Sequence, residues 1–278
     1  MHASSIPLDR LPLVAADAVR RLCDELTTIL GGDLVAVWMY GGTTFVDRPL
    51  QPGDLDVCVV VANLTDAERH VRQWRDDPTS RPFRVFAAQN AIARDLGVNF
   101  DTQYLLVDEI GTGELPPNAF QVRRSVIGWS VERAHWLAGQ YVHFLGARPE
   151  DLVVAPTRAE LEFALDRETE HLERHVHEGD ASDPYEATYA VWNGCRILYT
   201  LDTGSPVISK RSAGAWGLEH LPPEWQGAIH AAGRSYDGDA TPEDNEVLRS
   251  NMAPFVEMVR RRLPPLETRD EEFVPRWS

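Results

Sequence analysis

The chain has 278 residues and a formal net charge of −16, because 43 acidic residues outweigh 27 basic ones. This length predicts two domains with a substantial core, and the charge argues against nucleic-acid binding, which needs a basic surface. An acidic protein instead attracts cationic ligands, although many proteins are acidic for solubility alone. There is no membrane-length apolar run or signal-peptide pattern, and the three cysteines lack metal-binding spacing. We therefore expect a cytoplasmic protein without membrane partners.

The first half of the chain mixes helical and strand patterns. Two apolar runs bounded by glycine and proline are typical of buried strands. Alternating polar and apolar residues after Val98 indicate a third strand with a polar face. The predicted elements are a helix at 13–30, strands at 34–39 and 57–61, a surface helix at 65–74, a short strand at 82–87 and a strand at 98–107.

The second half is helical throughout. Thr157-Arg158-Ala159-Glu160 is a capping box, and Thr241 followed by Pro242 marks another helix start. The predicted helices cover 120–136, 157–177, 185–203, 209–218, 223–236 and 241–263, with a connection at 146–156. The sequence thus predicts an α+β protein, with a mixed sheet in an N-terminal domain at 1–152 and an all-helical C-terminal domain at 153–278.

A glycine turn and a pair of aspartates lie between the first two predicted strands. Asp54 and Asp56 are two residues apart, so their carboxylates point to one side of a strand. Such carboxylates repel each other unless a cation lies between them, and oxygen ligands suit magnesium. Gly41-Gly42 would let backbone amides approach a phosphate. The alternative is a structural turn with two acidic residues at a strand entrance.

This pattern resembles the nucleotidyltransferase superfamily, which has a Gly-Gly or Gly-Ser turn, a short spacer and Asp-x-Asp. The second half narrows the resemblance to the aminoglycoside adenylyltransferases that act on streptomycin and spectinomycin. The motifs behind it are Arg-x-x-Tyr at 196–199, Thr203-Gly204, Ser209-Lys210, Ala213 to Trp216 and Leu221-Pro222. The resemblance runs from about residue 13 to 263, and it implies an N-terminal nucleotidyltransferase domain.

The resemblance implies magnesium-dependent transfer of AMP from ATP to an antibiotic hydroxyl, conferring resistance, by a monomer. Asp54 and Asp56 match the metal-binding pair, and Asp101 stands where the family has a catalytic Glu. Asp108 and Glu109 are nearby alternatives for the base. A nucleotide-binding relative without activity, or an enzyme acting on another small molecule or a protein, is the alternative function.

The ATP-binding residues follow from the same resemblance. They are Gly41, Gly42, Thr43, Arg196, Lys210 and Tyr236. Gly42 replaces the family's Ser, so Thr43 or Thr44 would have to supply the missing hydroxyl. Lys210 is the only lysine among the 27 basic residues; a phosphate contact and a codon accident are both open. An ion pair of Arg196 with Glu186 or Asp202 is the structural alternative.

The resemblance assigns Trp129 and Glu186 to the antibiotic, which predicts activity on streptomycin together with spectinomycin. A core tryptophan and a charge at a helix N-terminus are the competing interpretations. His171, His175 and His177 could suggest a metal site, but the surrounding glutamates favour a solvated helix surface.

Overall fold

The computed structural model describes residues 5–47, 54–111, 119–120, 128–178 and 184–264. Part of the helix predicted at 120–136, residues 121–127, lies outside the described residues. The helices of the N-terminal half are α1 (Leu13–Leu30), α2 (Asp66–Arg69), α3 (Val71–Trp74), α4 (Arg81–Leu96), α5 (Val107–Ile110), α6 (Trp129–Leu137) and α7 (Pro149–Leu152). The strands are β1 (Leu34–Tyr40), β2 (Leu55–Val61), β3 (Phe100–Leu106) and β4 (Val142–Gly146).

The four strands form one mixed sheet in the order β3-β2-β1-β4. β1 is antiparallel to both β2 and β4, whereas β2 and β3 are parallel. The mixed sheet and the three predicted strands are confirmed. β4 was not predicted, because only one of its five residues is fully buried. Its last residue, Gly146, has φ +75°, and a β-carbon there would lie 1.9 Å from the Val35 carbonyl oxygen.

The short strand predicted at 82–87 is wrong, because this segment belongs to α4. Ser80 caps the helix by accepting a hydrogen bond from the Phe83 amide, and Pro82 lies in the first turn, where its missing N–H costs nothing. Val85, Gln89 and Ile92 are buried at helical spacing. The segment predicted as one surface helix at 65–74 consists of α2 and α3, which meet at His70.

The sheet has two different faces. One face packs on the main apolar core of this half, to which α1 and α4 contribute Leu22, Leu26 and Val85. The other face carries a smaller aromatic cluster with α6. There the Trp136 ring lies 5.1 Å from that of Trp38 and 5.7 Å from that of Trp129. At the start of β2 and β3, the apolar residues of this second face give way to the polar side chains of Asp56 and Asp101.

The C-terminal half consists of helices around a separate apolar core. They are α8 (Arg158–Glu178), α9 (Pro184–Thr203), α10 (Lys210–His220), α11 (Gln226–Asp237) and α12 (Pro242–Arg262). The predicted capping box forms, because Thr157 and Glu160 exchange hydrogen bonds at the start of α8. α9 is central: a β-carbon on Gly194 would meet the Phe255 ring of α12 at 2.6 Å.

The α+β prediction, with a helical C-terminal half, is confirmed. The boundary after residue 152 stays a prediction. The three cysteines are buried. In the part of the chain that the structure describes, no helix is long and apolar enough to span a membrane.

Candidate active site

Three carboxylates lie close together at the start of the parallel strands β2 and β3. In the parallel pairing, Asp56 of β2 lies directly opposite Asp101 of β3. Adjacent strands are about 4.8 Å apart, so the two side chains start as close neighbours on one face. On the other side of β2, Asp56 is paired with Tyr40, the residue before the glycine turn. Asp54 is exposed just before the strand begins.

The glycine turn packs against this acidic group. Gly41 has φ +73°, and a β-carbon there would lie 1.8 Å from Oδ2 of Asp56. The Gly42 amide donates a hydrogen bond to Asp56. A β-carbon on Gly42, in contrast, would have open space around it. Gly41 is therefore required by the aspartate itself, whereas Gly42 leaves free room beside it.

The environment of Asp56 disfavours its charge. Burial raises its pKa to about 7, and the charges of Asp101, Glu132 and Asp54 add to the effect, against the hydrogen bond from Gly42. A cation beside these carboxylates would remove the repulsion. Among the described residues, no group of three or more His, Cys, Asp or Glu side chains forms a metal cage. Magnesium commonly binds through one or two carboxylates plus substrate phosphates, so the acidic pair fits such an ion.

A basic wall faces the acidic group across a cavity of about 720 Å³. It is formed by Arg196 of α9 with Lys210 and Arg211 of α10. Burial lowers the pKa of both Arg196 and Lys210, and Arg196 further lowers that of Lys210. Cations brought close together in this way favour an anionic ligand.

Among the described residues, Arg196 and Lys210 have few contact partners. Arg196 donates through Nη1 to Oδ1 of Asn193 at 3.3 Å, and its Nε has no partner in the described structure. Nζ of Lys210 lies 5.3 Å from the centre of the Tyr189 ring. Within the described ranges, neither cation forms an ion pair, so the proposed pairing of Arg196 with Glu186 or Asp202 is not observed there.

The loop after the glycine turn connects the two walls. Asp47 accepts hydrogen bonds from the hydroxyls of Ser209 and Ser212, the latter at 2.8 Å, and its carbonyl accepts from Nε of Arg211. Ser209 also caps α10, whose first residue is Lys210. Asp47 thus ties the start of α10 to the N-terminal half. Sequence reasoning missed this residue.

His135 of α6 provides a second connection between the walls. Its Nε2 lies 2.9 Å from the carbonyl oxygen of Pro206, and since a carbonyl only accepts, this nitrogen carries the proton. Burial and the charge of Arg196 lower the pKa of His135 to about 4. The imidazole is therefore neutral at physiological pH and supports the segment before Lys210.

Of the other residues predicted to bind the nucleotide, some line the cavity and some do not. Thr43 lines the cavity, whereas the Thr44 hydroxyl donates to the Gly41 carbonyl at 2.7 Å and accepts from Gln140. Thr43 is therefore the better substitute for the missing serine. Tyr236 lines the cavity beside Arg211.

The structure also separates the three candidates for the general base. Glu109 pairs with Arg69, and neither Glu109 nor Asp108 lines the cavity. Asp101 is therefore the remaining candidate.

Trp129 and Glu186 do not line the cavity in this structure. Trp129 is only 4% exposed and belongs to the aromatic cluster under the sheet. Oε2 of Glu186 lies 2.5 Å from Nδ1 of His175, and the rings of His175 and His171 are 4.3 Å apart. The expected solvated helix surface is only partly right, since these groups pack against α9.

Glu132 is the other functional candidate that the sequence reasoning missed. It lies in the first turn of α6 and lines the cavity with Asp101. Nε2 of Gln103 donates to its Oε1 at 2.6 Å. Only the position three residues after Trp129 could have suggested it, and nothing in the sequence links it to β3.

The chain is similar to known proteins both in the sequence of its C-terminal half and in its fold. Residues 158–262 match the family described as "Aminoglycoside adenylyltransferase, C-terminal domain". The fold is similar to a crystal structure of spectinomycin adenyltransferase AAD(9) from Enterococcus faecialis with ATP and spectinomycin, at a TM-score of 0.66 and 18% identity over 89% of this chain and 98% of that one. No curated protein sequence matches significantly. The C-terminal half of the chain is therefore similar to the C-terminal domain of the aminoglycoside adenylyltransferases.

Proposed function

We propose that the protein transfers AMP from ATP to a hydroxyl of a cationic aminocyclitol antibiotic and so confers resistance. The observation that carries this proposal is the placement of Asp56 directly beside Asp101, in one cavity with Arg196 and Lys210. A metal-binding carboxylate, a proton acceptor and two phosphate-binding cations are the groups that this transfer requires.

The triphosphate would lie between the two walls. Asp54 and Asp56 would hold magnesium, which supplies positive charge to the phosphates. Arg196 and Lys210 would bind the β- and γ-phosphates and neutralise the charge that develops on pyrophosphate as it leaves. Thr43 and the amide of Gly42 lie at the turn that would border the phosphates, and Tyr236 would contact the nucleotide.

Asp101 would act as the general base. The acceptor hydroxyl gives its proton to the Asp101 carboxylate while its oxygen forms a bond to the α-phosphorus. The bond between the α-phosphorus and the bridging oxygen breaks, and that oxygen leaves with pyrophosphate. Because phosphoryl-type transfer depends on positioning and charge neutralisation, no covalent intermediate with the protein is needed.

The acceptor class follows from charge and from the structural neighbour. The sheet side of the cavity carries Asp54, Asp56, Asp101 and Glu132, which attract an ammonium or guanidinium group. The similar structure is a spectinomycin adenyltransferase. We propose spectinomycin and streptomycin as acceptors. Streptomycin has weaker support, because Trp129 and Glu186 would have to become accessible from their present positions.

We further propose that the enzyme acts as a cytoplasmic monomer and that its domains meet near residue 152. The cavity lies between these two parts, so ATP would contact both. A nucleotide that bridges the halves would hold the acceptor site in its working geometry.

A pyrophosphate-release assay tests the proposal directly. Purified protein is incubated with magnesium, with ATP, GTP or CTP, and with a panel that includes spectinomycin and streptomycin. Mass spectrometry should then detect an antibiotic carrying one added AMP. If no aminocyclitol is modified but another small molecule or a protein receives AMP, the proposed substrate class is wrong. Only the proposed type of reaction would then stand.

A further inference from the structure

A second carboxylate stands beside the candidate base on the acceptor side of the cavity. Gln103 follows Asp101 by two residues on β3, so both side chains lie on one face, about 7 Å apart along the strand. The Gln103 amide donates to Oε1 of Glu132 at 2.6 Å. The Glu132 carboxylate therefore lies on the same side of β3 as the Asp101 side chain, and both residues line the cavity.

The position of Glu132 in the fold constrains its carboxylate. The backbone amide of Glu132 donates to the Gly128 carbonyl oxygen at 2.7 Å, which places the residue in the first turn of α6. A negative charge in the first turn of a helix is favoured by the helix dipole. The hydrogen bond from Gln103 orients the carboxylate at the end of the side chain. Glu132 is thus an anion held in place between a helix start and a strand.

The surroundings separate Glu132 from the nucleotide-binding groups. The cations Arg196, Lys210 and Arg211 belong to the opposite, helical wall. Glu132 shares its side of the cavity with Asp56 and Asp101, and its charge contributes to the raised pKa of Asp56. A further anion here disfavours a triphosphate and favours a positively charged acceptor.

We propose that Glu132 binds an ammonium group of the acceptor and thereby selects cationic aminocyclitols over their uncharged derivatives. The hydroxyl hydrogen-bonds to Asp101 while the ammonium donates to the Glu132 carboxylate. This inference rests on the proposed function and adds a specificity-determining residue to it.

Kinetics of Glu132→Gln with two acceptors test the proposal. The acceptors are spectinomycin, or another panel member that the wild type prefers, and the same compound with its amino groups N-acetylated. Gln keeps an oxygen that can accept from Gln103, so the fold should persist. A charge-assisted hydrogen bond contributes about 1.5–3 kcal/mol, so KM for the cationic acceptor should rise roughly 10- to 100-fold. The KM for ATP and kcat should change less than about threefold.

The variant should also lose the preference for the cationic acceptor over its N-acetylated form. Glu132→Asp should give an intermediate KM, because it keeps the charge but withdraws it by one methylene. Glu162→Gln is the matched control, since Glu162 is a helix carboxylate that pairs with Arg158 on α8, away from the cavity.

Two outcomes would overturn the inference alone. One is a Glu132→Gln enzyme with the acceptor KM of the Glu162→Gln control. The other is a large loss of kcat with an unchanged acceptor KM, which would make Glu132 a base or metal ligand. A wild type that neither binds aminocyclitols in calorimetry with a non-hydrolysable ATP analogue nor modifies them would overturn the proposed function as well.

Discussion

Gly41 and Asp56 are packed so closely that a β-carbon on Gly41 would lie 1.8 Å from Oδ2 of the aspartate. The positive φ of Gly41 is a second constraint on the same residue. The turn therefore holds a carboxylate in position, in addition to any approach that it offers to phosphate.

Gly41→Ala should abolish activity, because the new methyl group must displace the Asp56 carboxylate. Gly42→Ala is the matched control, since its β-carbon meets nothing within 4 Å. We expect the control to keep kcat/KM within about tenfold of the wild type, a loss of under roughly 1.4 kcal/mol in transition-state stabilisation. Steady-state rates and magnesium titration of both variants provide the measurement. Equal activity of the two would mean that the turn tolerates displacement of Asp56.

Asp56→Asn should abolish turnover yet stabilise the metal-free protein at pH 8. The raised pKa of Asp56, about 7 against an ordinary 3.8, means that folding favours the protonated form. The contribution of Asp56 to the free energy of unfolding is therefore fully present below pH 3.8. It is lost as the pH rises from there through 7, and the total loss is at most roughly 4 kcal/mol. Thermal unfolding at pH 5 and pH 8 without magnesium measures the effect.

Asp54→Asn is the control for that experiment. Asp54 is exposed, so its replacement should also abolish turnover but should not produce the same pH-dependent gain in Tm. Near-native activity of either variant with magnesium would refute the metal assignment. A similar Tm gain for both would show that burial of Asp56 is not the cause.

Asp101→Asn should bind ATP and antibiotic almost normally but lose kcat by about 10²- to 10⁴-fold, because a proton acceptor acts in the transition state. Single-turnover rates and calorimetry separate these effects. Glu109→Gln is a control, since Glu109 pairs with Arg69 outside the cavity. If Asp101→Asn instead loses ATP affinity and keeps the chemical rate, the residue has a metal-binding or structural role.

Lys210→Ala should weaken ATP binding, and Lys210→Arg should restore it only in part. A compact ammonium acts as a point charge on a phosphate, whereas a guanidinium is a planar fork that contacts the same oxygens with a different geometry. Titration with a non-hydrolysable ATP analogue compares the three proteins. Identical affinities would show that the lone lysine has no role at the phosphates.

Trp129→Ala should lower stability by about 3–5 kcal/mol, because it removes a buried indole from the aromatic cluster. If Trp129 also reaches streptomycin, as the family resemblance implies, the variant should lose more streptomycin turnover than spectinomycin turnover. Denaturant unfolding and paired kinetics measure the two effects separately. An equal loss with both antibiotics would assign Trp129 to packing alone.

The features of this fold that depend on neighbouring residues could be predicted from the sequence. The Gly-Gly turn, the Asp pair and the capping box at Thr157 depend on neighbouring residues, and each was found from spacing. The contact of Gln103 with Glu132 was not, because it joins a strand to a helix 29 residues away. Asp47 and Ser209 are 162 residues apart. Only tertiary packing brings such pairs together.

The wrong prediction of a short strand at 82–87 has a different origin. A short apolar run beginning with proline fits both a strand and the first turn of a helix. Ser80 as a cap and buried side chains through Ile92 decide for the helix. Trp129 illustrates a further limit, since the sequence gives its type and context but not the direction in which its ring points.

The pairing of Asp56 with Asp101 makes the spacing of these two carboxylates a property of the backbone. Hydrogen bonds between β2 and β3 hold the two positions in register, so the proposed metal ligand and the proposed proton acceptor can shift only by a whole residue, which would reverse the face of the side chain. Glu132 on α6, which we propose binds the acceptor, and Tyr185 on α9 line the same cavity but lie on other elements. If the proposed function holds, mutations in those helices should therefore change the acceptor while the spacing of the two aspartates stays intact.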